Sequence, residues 1–217
     1  MKLFLLGATG RTGCHVLDHA LARGHQVHAL LRNHQRLTAH QNLTAIEGNP
    51  SQADQLAEAM TGCEAVINVL NISRTSDFPW ARLRTPETFL SDSMRTLLTN
   101  AEDAGVRRVV SCSAWGAAET RADIPGWFRW FIDHSNIGVA YADHERAEQL
   151  LQASSLGYTI VRPVGLTNSK REQSIRESCN NTPKPSLTIS RRTVARFLVD
   201  ALANDALIGQ AVTVSKD

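Results

Sequence analysis

Ser111 and Ser113 flank Cys112 at the end of an apolar run, Tyr141 precedes Glu145 by four residues, and Asp143-His144 is followed by Glu148. Hydroxyl, phenol, imidazole and carboxylate are the groups that move protons, so Ser113, Tyr141 and His144 are candidate catalytic residues, with Ser111 in reserve. Histidine suits proton donation near neutral pH. The competing structural reading makes His144 a helix-start residue bonded to Asp143 or to a backbone carbonyl. A second group, Gly7-Ala8-Thr9-Gly10-Arg11-Thr12-Gly13, carries different chemistry. Glycines let the backbone turn tightly and approach a phosphate, and the free amides and positive end of a following helix attract it.

That reading needs a strand before the glycines and a helix after them. Leu3-Phe4-Leu5-Leu6 precedes them, and Val16, Leu17, Ala20 and Leu21 recur behind them at helical spacing. The turn therefore binds a dinucleotide pyrophosphate. Further strands are predicted at Gln26–Leu31, Leu43–Glu47, Ala65–Leu70, Arg107–Cys112, Tyr158–Arg162 and Ala211–Val214. Helices are predicted between them: one ending at Gly24, one starting at Ser51, and one opening at Thr85-Pro86-Glu87 and closing at Gly105. Alternation of this kind predicts an α/β fold, a doubly wound parallel sheet of the Rossmann type with ligands at the carboxyl ends of its strands. A single domain spans 1–217, with 115–141 and 165–187 as substrate-side insertions and Asn168–Ser186 a polar loop.

The strand ends supply the rest of a nucleotide site. Arg32 closes the second strand where an acid would select the free ribose hydroxyl of NAD(H); an arginine pairs with a 2′-phosphate, helped by Arg36 and Arg11. NADP(H) is thus preferred, with NAD(H) still open. Asn49 offers the adenine a carbonyl and an amide. Leu70 and Asn71 follow the fourth strand beside the ribose, and Pro163 and Val164 follow the sixth at the nicotinamide.

The glycine spacing, G-x-x-G-x-x-G, resembles that of short-chain dehydrogenase/reductases, and the GATGRTG string is similar to their atypical branch. The D-H-x-x-x-E start and Y-T-I-V-R-P end of the stretch from Asp143 to Pro163 extend the likeness over nearly the full chain, toward proteins that include flavin reductase/biliverdin reductase B and the nitrogen-metabolite-repression regulators. The resemblance implies a serine after strand five and a Tyr-x-x-x-Lys pair whose lysine lowers the tyrosine pKa. Glu145 stands where the lysine belongs, and a carboxylate there breaks the usual relay. The flavin reductase branch passes hydride directly to a planar acceptor and tolerates that loss. Val164 replaces a histidine of that branch.

Three expectations follow for function. The first is a reductase of a small planar or carbonyl acceptor, of quinone or flavin type. The second is a non-catalytic NADP(H) sensor acting through a protein partner. Isomerase or epimerase work is disfavoured without the tyrosine-lysine relay. Trp127, Phe128, Trp130 and Phe131 would stack on a planar substrate, form a homodimer patch, or pack a short helix into the core. A net charge of +2 gives no ground for nucleic acid or a membrane surface as partner. Four scattered cysteines argue against structural zinc, any other metal centre or a disulfide framework, and for a cytoplasmic protein.

Overall fold

The computed structural model describes residues 1–32 and 37–217. The chain opens with β1 (Lys2–Leu6), α1 (Gly13–Ala22), β2 (Gln26–Leu31), β3 (Leu43–Glu47), α2 (Ala53–Met60), β4 (Ala65–Asn68), α3 (Phe89–Ala101) and β5 (Arg108–Cys112). Helices α4 (Gly126–Asp133) and α5 (Ile137–Gln152) lead to β6 (Gly157–Pro163), and the short strands β7 (Gly165–Thr167), β8 (Ile175–Ser178) and β9 (Thr188–Ser190) precede α6 (Arg191–Asp200) and β10 (Gln210–Lys216).

Eight strands form one sheet in the order β3-β2-β1-β4-β5-β6-β10-β8, parallel except where β8 joins the edge. Successive side chains of a strand point to opposite faces, and both faces here are apolar. Leu3 and Leu5 pack with Val16, Leu17, Val194 and Leu198 from α1 and α6. Phe4 and Leu6 pack with Leu56, Met60, Met94, Leu97 and Leu151 from α2, α3 and α5. This is the doubly wound sheet expected.

Several element ends shift by one to four residues, and four departures from expectation have a visible cause. Strand β4 stops at Asn68 rather than Leu70, because the Asn68 side-chain oxygen accepts the Leu70 amide at 3.1 Å and turns the chain away. Helix α2 begins at Ala53, not Ser51, since the Asn49 side chain holds the Ser51 amide in a turn at 3.1 Å. The segment Asn168–Ser186 is not all loop: Ile175–Ser178 pairs with β10 as an antiparallel edge strand. Its polar Arg176, Glu177 and Ser178 hide the apolar alternation of an interior strand.

The fourth concerns α3, which starts at Phe89 rather than Thr85, and its cap is not local. Thr88 makes no capping bond with its side chain. Instead Asp143 of α5, fully buried, accepts the Leu90 amide at 2.6 Å and the Ser91 hydroxyl at 2.6 Å. A carboxylate at the positive end of a helix satisfies amides that would otherwise be buried unpaired. Asp143→Ala should destabilise the fold by about 3 kcal/mol, with Asp143→Asn intermediate. Urea unfolding followed by circular dichroism checks both.

Candidate functional site

Strand β1 pairs with β2 on one side and β4 on the other, so the crevice beyond its carboxyl end is the topological switch point. The glycine turn sits there. Gly7 has φ +88, and a Cβ on it would lie 2.9 Å from the Val69 carbonyl oxygen. A Cβ on Gly13 would lie 1.9 Å from the Gly7 carbonyl oxygen, so no side chain fits where α1 crosses the turn. At Gly10 a Cβ would meet only that same oxygen, at 3.1 Å, and otherwise face open space. Thr9, Gly10 and Arg11 are exposed, and Thr12 at the start of α1 makes no side-chain capping bond. A cradle without side chains that opens on an uncapped helix start fits a pyrophosphate.

The remaining cofactor candidates are placed unequally. Arg32 is exposed directly after β2, and among the described residues no acid pairs with it. Arg36 lies outside the described residues. Arg11 is tied to Asp77 at 2.9 Å, both side chains being exposed. Asn49 is also exposed, but its side-chain oxygen is spent on the Ser51 amide, which leaves its NH2 group alone for a ligand. Leu70 lies against Gly7, and the Asn71 side chain folds back to accept the Ile72 amide at 2.8 Å.

Pro163 and Val164, expected at the nicotinamide, each have a backbone group engaged within the protein. The Pro163 carbonyl accepts the Trp115 amide at 3.0 Å, the Val164 amide donates to the Val214 carbonyl at 3.2 Å, and both residues are buried. Gly165 is the first exposed residue beyond them.

The proton-moving candidates divide between two cavities along α5. Ser113 and His144 line a cavity of about 10 Å³ with Asn68, Ser111 and Glu148, room for a single water. The Ser113 hydroxyl is buried with no partner among the described residues. Ser111 receives a long bond from Asn68 at 3.4 Å. Tyr141 faces elsewhere, into a cavity of about 390 Å³ that also holds Gly116, Arg121 and Glu145. The structure therefore brings Ser113 and His144 together and sets Tyr141 apart.

Both aromatic acids are displaced from useful titration. His144 lies in the middle of α5, not at a helix start, and burial pushes it down to about 4 against a weaker pull from Asp143. It is an uncharged imidazole at pH 7, which overturns its reading as a donor tuned near neutrality. Burial pushes the Tyr141 phenol up to about 12. Both shifts have one cause, loss of water around the charged form.

Sequence reasoning missed two parts of the rim. Arg162 of β6 is buried and holds Glu148 of α5, with 3.1 Å from its Nε, and Glu119 of the turn after β5. The segment Ser73–Arg84 folds as a hairpin whose Trp80 indole donates to the His134 carbonyl at 2.6 Å. Its only sequence signal is a turn-forming Ser76-Asp77-Phe78-Pro79 before that tryptophan. Core packing accounts for Ile132 and in part for Phe128, which packs against the apolar core, but not for Trp127 and Trp130, which are 68% and 57% exposed.

A glycine cradle at the switch point of a doubly wound sheet defines a dinucleotide-binding protein of the Rossmann class. The profile of the NAD(P)H-binding family matches residues 7–205, and the chain belongs to that family. The likeness to atypical short-chain dehydrogenase/reductases drawn from its motifs is borne out. An uncharacterized chloroplastic protein of Arabidopsis thaliana is 26% identical over 95% of this chain and 72% of its own length. ChuY, an anaerobillin reductase from Escherichia coli O157:H7, superposes with a TM-score of 0.81 at 23% identity, over 100% of this chain and 97% of that one. A short-chain dehydrogenase/reductase from Veillonella parvula, in complex with NADP, gives 0.81 at 20% identity over 99% and 94%. Among the described residues no helix is long and apolar enough to cross a membrane.

The low value at His144 makes stability depend on pH. The unfolded chain takes up this proton near pH 6.5 while the folded chain stays neutral to about 4, so the contribution is full above 6.5 and is lost as pH falls toward 4. His144→Leu should therefore lose about 2 kcal/mol less than the parent between pH 7 and pH 4.5. Urea titrations at the two pH values measure the difference.

Proposed function

We propose that the protein is an NADP(H)-dependent reductase that passes hydride directly to a small planar or carbonyl acceptor of quinone or flavin type. The observation that carries this reading is the unpartnered Ser113 hydroxyl, buried at the end of β5 beside an uncharged His144. Such a hydroxyl is a hydrogen-bond donor waiting for an acceptor oxygen. The glycine turn holds the pyrophosphate and Arg32 the 2′-phosphate. When bound, the reduced nicotinamide supplies the hydride. Ser113 orients the acceptor, and the proton that completes the reduction comes from water, since neither His144 nor Tyr141 is poised to give one. The named reductase and the NADP-bound protein among the structural neighbours support this by analogy of fold.

The exposed Trp127 and Trp130 favour a second reading, in which NADP(H) occupancy is sensed and passed to a protein partner or a second copy across that face. NADPH oxidation with menadione, riboflavin and a carbonyl panel separates the two. Turnover with at least one acceptor is expected, falling about tenfold in Ser113→Ala and mostly retained in Tyr141→Phe. Collapse in Tyr141→Phe alone restores a tyrosine mechanism, and tight NADPH binding with no turnover on any acceptor selects the sensor.

Cofactor choice has its own check. Loss of a charge-assisted contact costs roughly 1.5 to 3 kcal/mol, so calorimetry should show Arg32→Ala weakening NADPH at least tenfold and leaving NADH nearly unchanged. Equal losses for both remove the assignment.

A further inference from the structure

The larger cavity, lined by Tyr141 and Glu145, lies apart from the Ser113 pocket. At about 390 Å³ it is within the usual range for a small-molecule site, and it opens between the loop after β5 and helices α4 and α5. Ile132 and Val139 give it apolar wall, and Phe128 meets Tyr141 edge-on at 6.2 Å between ring centres. Tyr141 and Glu145 are one helical turn apart on α5, and both line it. Neither the phenol nor the Glu145 carboxylate is hydrogen-bonded to any described residue.

The charges on the wall do not balance. Arg121 is committed to Asp133 by an ion pair, and Glu145 has no cation of its own. One positive group stands against two negative ones, and the uncommitted group accepts hydrogen bonds without donating any when ionised. A carboxylate, sulfonate or phosphate entering this space would meet a like charge in a partly dehydrated wall. A ring N–H, an amino group or a cationic ring would meet its complement. The Tyr141 hydroxyl, half-buried beside it, can donate to a second polar edge of the same ligand.

We infer that this cavity is a ligand site separate from the Ser113 pocket and that Glu145 is its specificity-determining residue, admitting planar molecules that carry a hydrogen-bond donor or a positive charge and rejecting anionic ones. The binding selectivity is independent of turnover and of the reductase reading. Glu145 is half-buried on a helix and has no partner to lose, so its replacement leaves the fold intact.

Binding is measured by calorimetry on the full chain saturated with NADP+, where no reduction takes place, with two planar probes: thionine, a cationic amino-substituted ring system, and anthraquinone-2-sulfonate, an anionic one. The parent should bind thionine at least tenfold more tightly than the sulfonate. Glu145→Gln should weaken thionine about tenfold and tighten the sulfonate, while Asp54→Asn, an exposed acid on α2, should change neither. Binding of neither probe, an unaltered ratio in Glu145→Gln, or an equal loss in Asp54→Asn overturns the inference. Charge-selective binding without turnover on any acceptor would leave the site standing and remove the reductase; turnover with no charge selectivity would do the reverse.

Discussion

A guanidinium almost wholly removed from water is tolerable only where carboxylates surround it, and Arg162, 1% exposed, has two. Glu148 reaches it from α5 and Glu119 from the turn after β5. The three residues therefore bind together the end of β6, the middle of α5 and the loop that walls the larger cavity. Removing the buried Glu148 would leave the guanidinium with only the largely exposed Glu119, so the geometry is fixed by electrostatics as well as by packing. Everything else along α5 follows from it. With Glu148 anchored, His144 one turn earlier must face the end of β5 and its serines, while Tyr141 and Glu145 turn toward α4. Asp143, between those two faces, reaches the start of α3.

The strands and the glycine turn were legible because their signals are local. Leu3 to Leu6 announces a strand buried on both faces, and the doubly wound order follows once such strands alternate with helices. The close approach of Gly13 to Gly7 is likewise written in the residue type, since no other fits. What the sequence concealed is set by partners distant along the chain. Asp143 reads as a companion of His144, whereas its ligands are amides more than fifty residues earlier. Arg162 reads only as the last residue of a strand, whereas its side chain turns inward to Glu148 fourteen residues earlier. Edge strand β8 is hidden by the polarity an edge requires. The pKa of His144 was illegible for a related reason. It depends on how much water the fold removes, and a motif carries no measure of that.

Dehydration also limits the chemistry open to the site. The same loss of water drives the imidazole to its neutral form and the phenol to its protonated one, so neither is charged at pH 7. A site of this kind is poor at delivering protons and good at holding dipoles, because every hydrogen bond inside it acts in a medium less screening than water. Reactions whose main demand is to align two rings suit such a setting better than those that need a strong acid in the transition state.

Charge at the opposite, phosphate-facing end is arranged differently. Arg11 projects from the glycine turn, yet Asp77 at the tip of the Ser73–Arg84 hairpin already neutralises it. Both side chains are well exposed, so the pair is weak and yields readily to a stronger anion. The permanent positive potential of the turn then comes from the dipole of α1, whose start carries no side-chain cap and which needs no counter-ion and cannot move away. An anion held at that helix start would compete with Asp77 for Arg11. The hairpin's other anchors, the Trp80 bond to His134 and the Asn136 amide on the Trp80 and Ala81 carbonyls, lie on the α4 side and are untouched by that exchange. The hairpin therefore meets the glycine turn through a weak, exposed ion pair and the aromatic rim through hydrogen bonds.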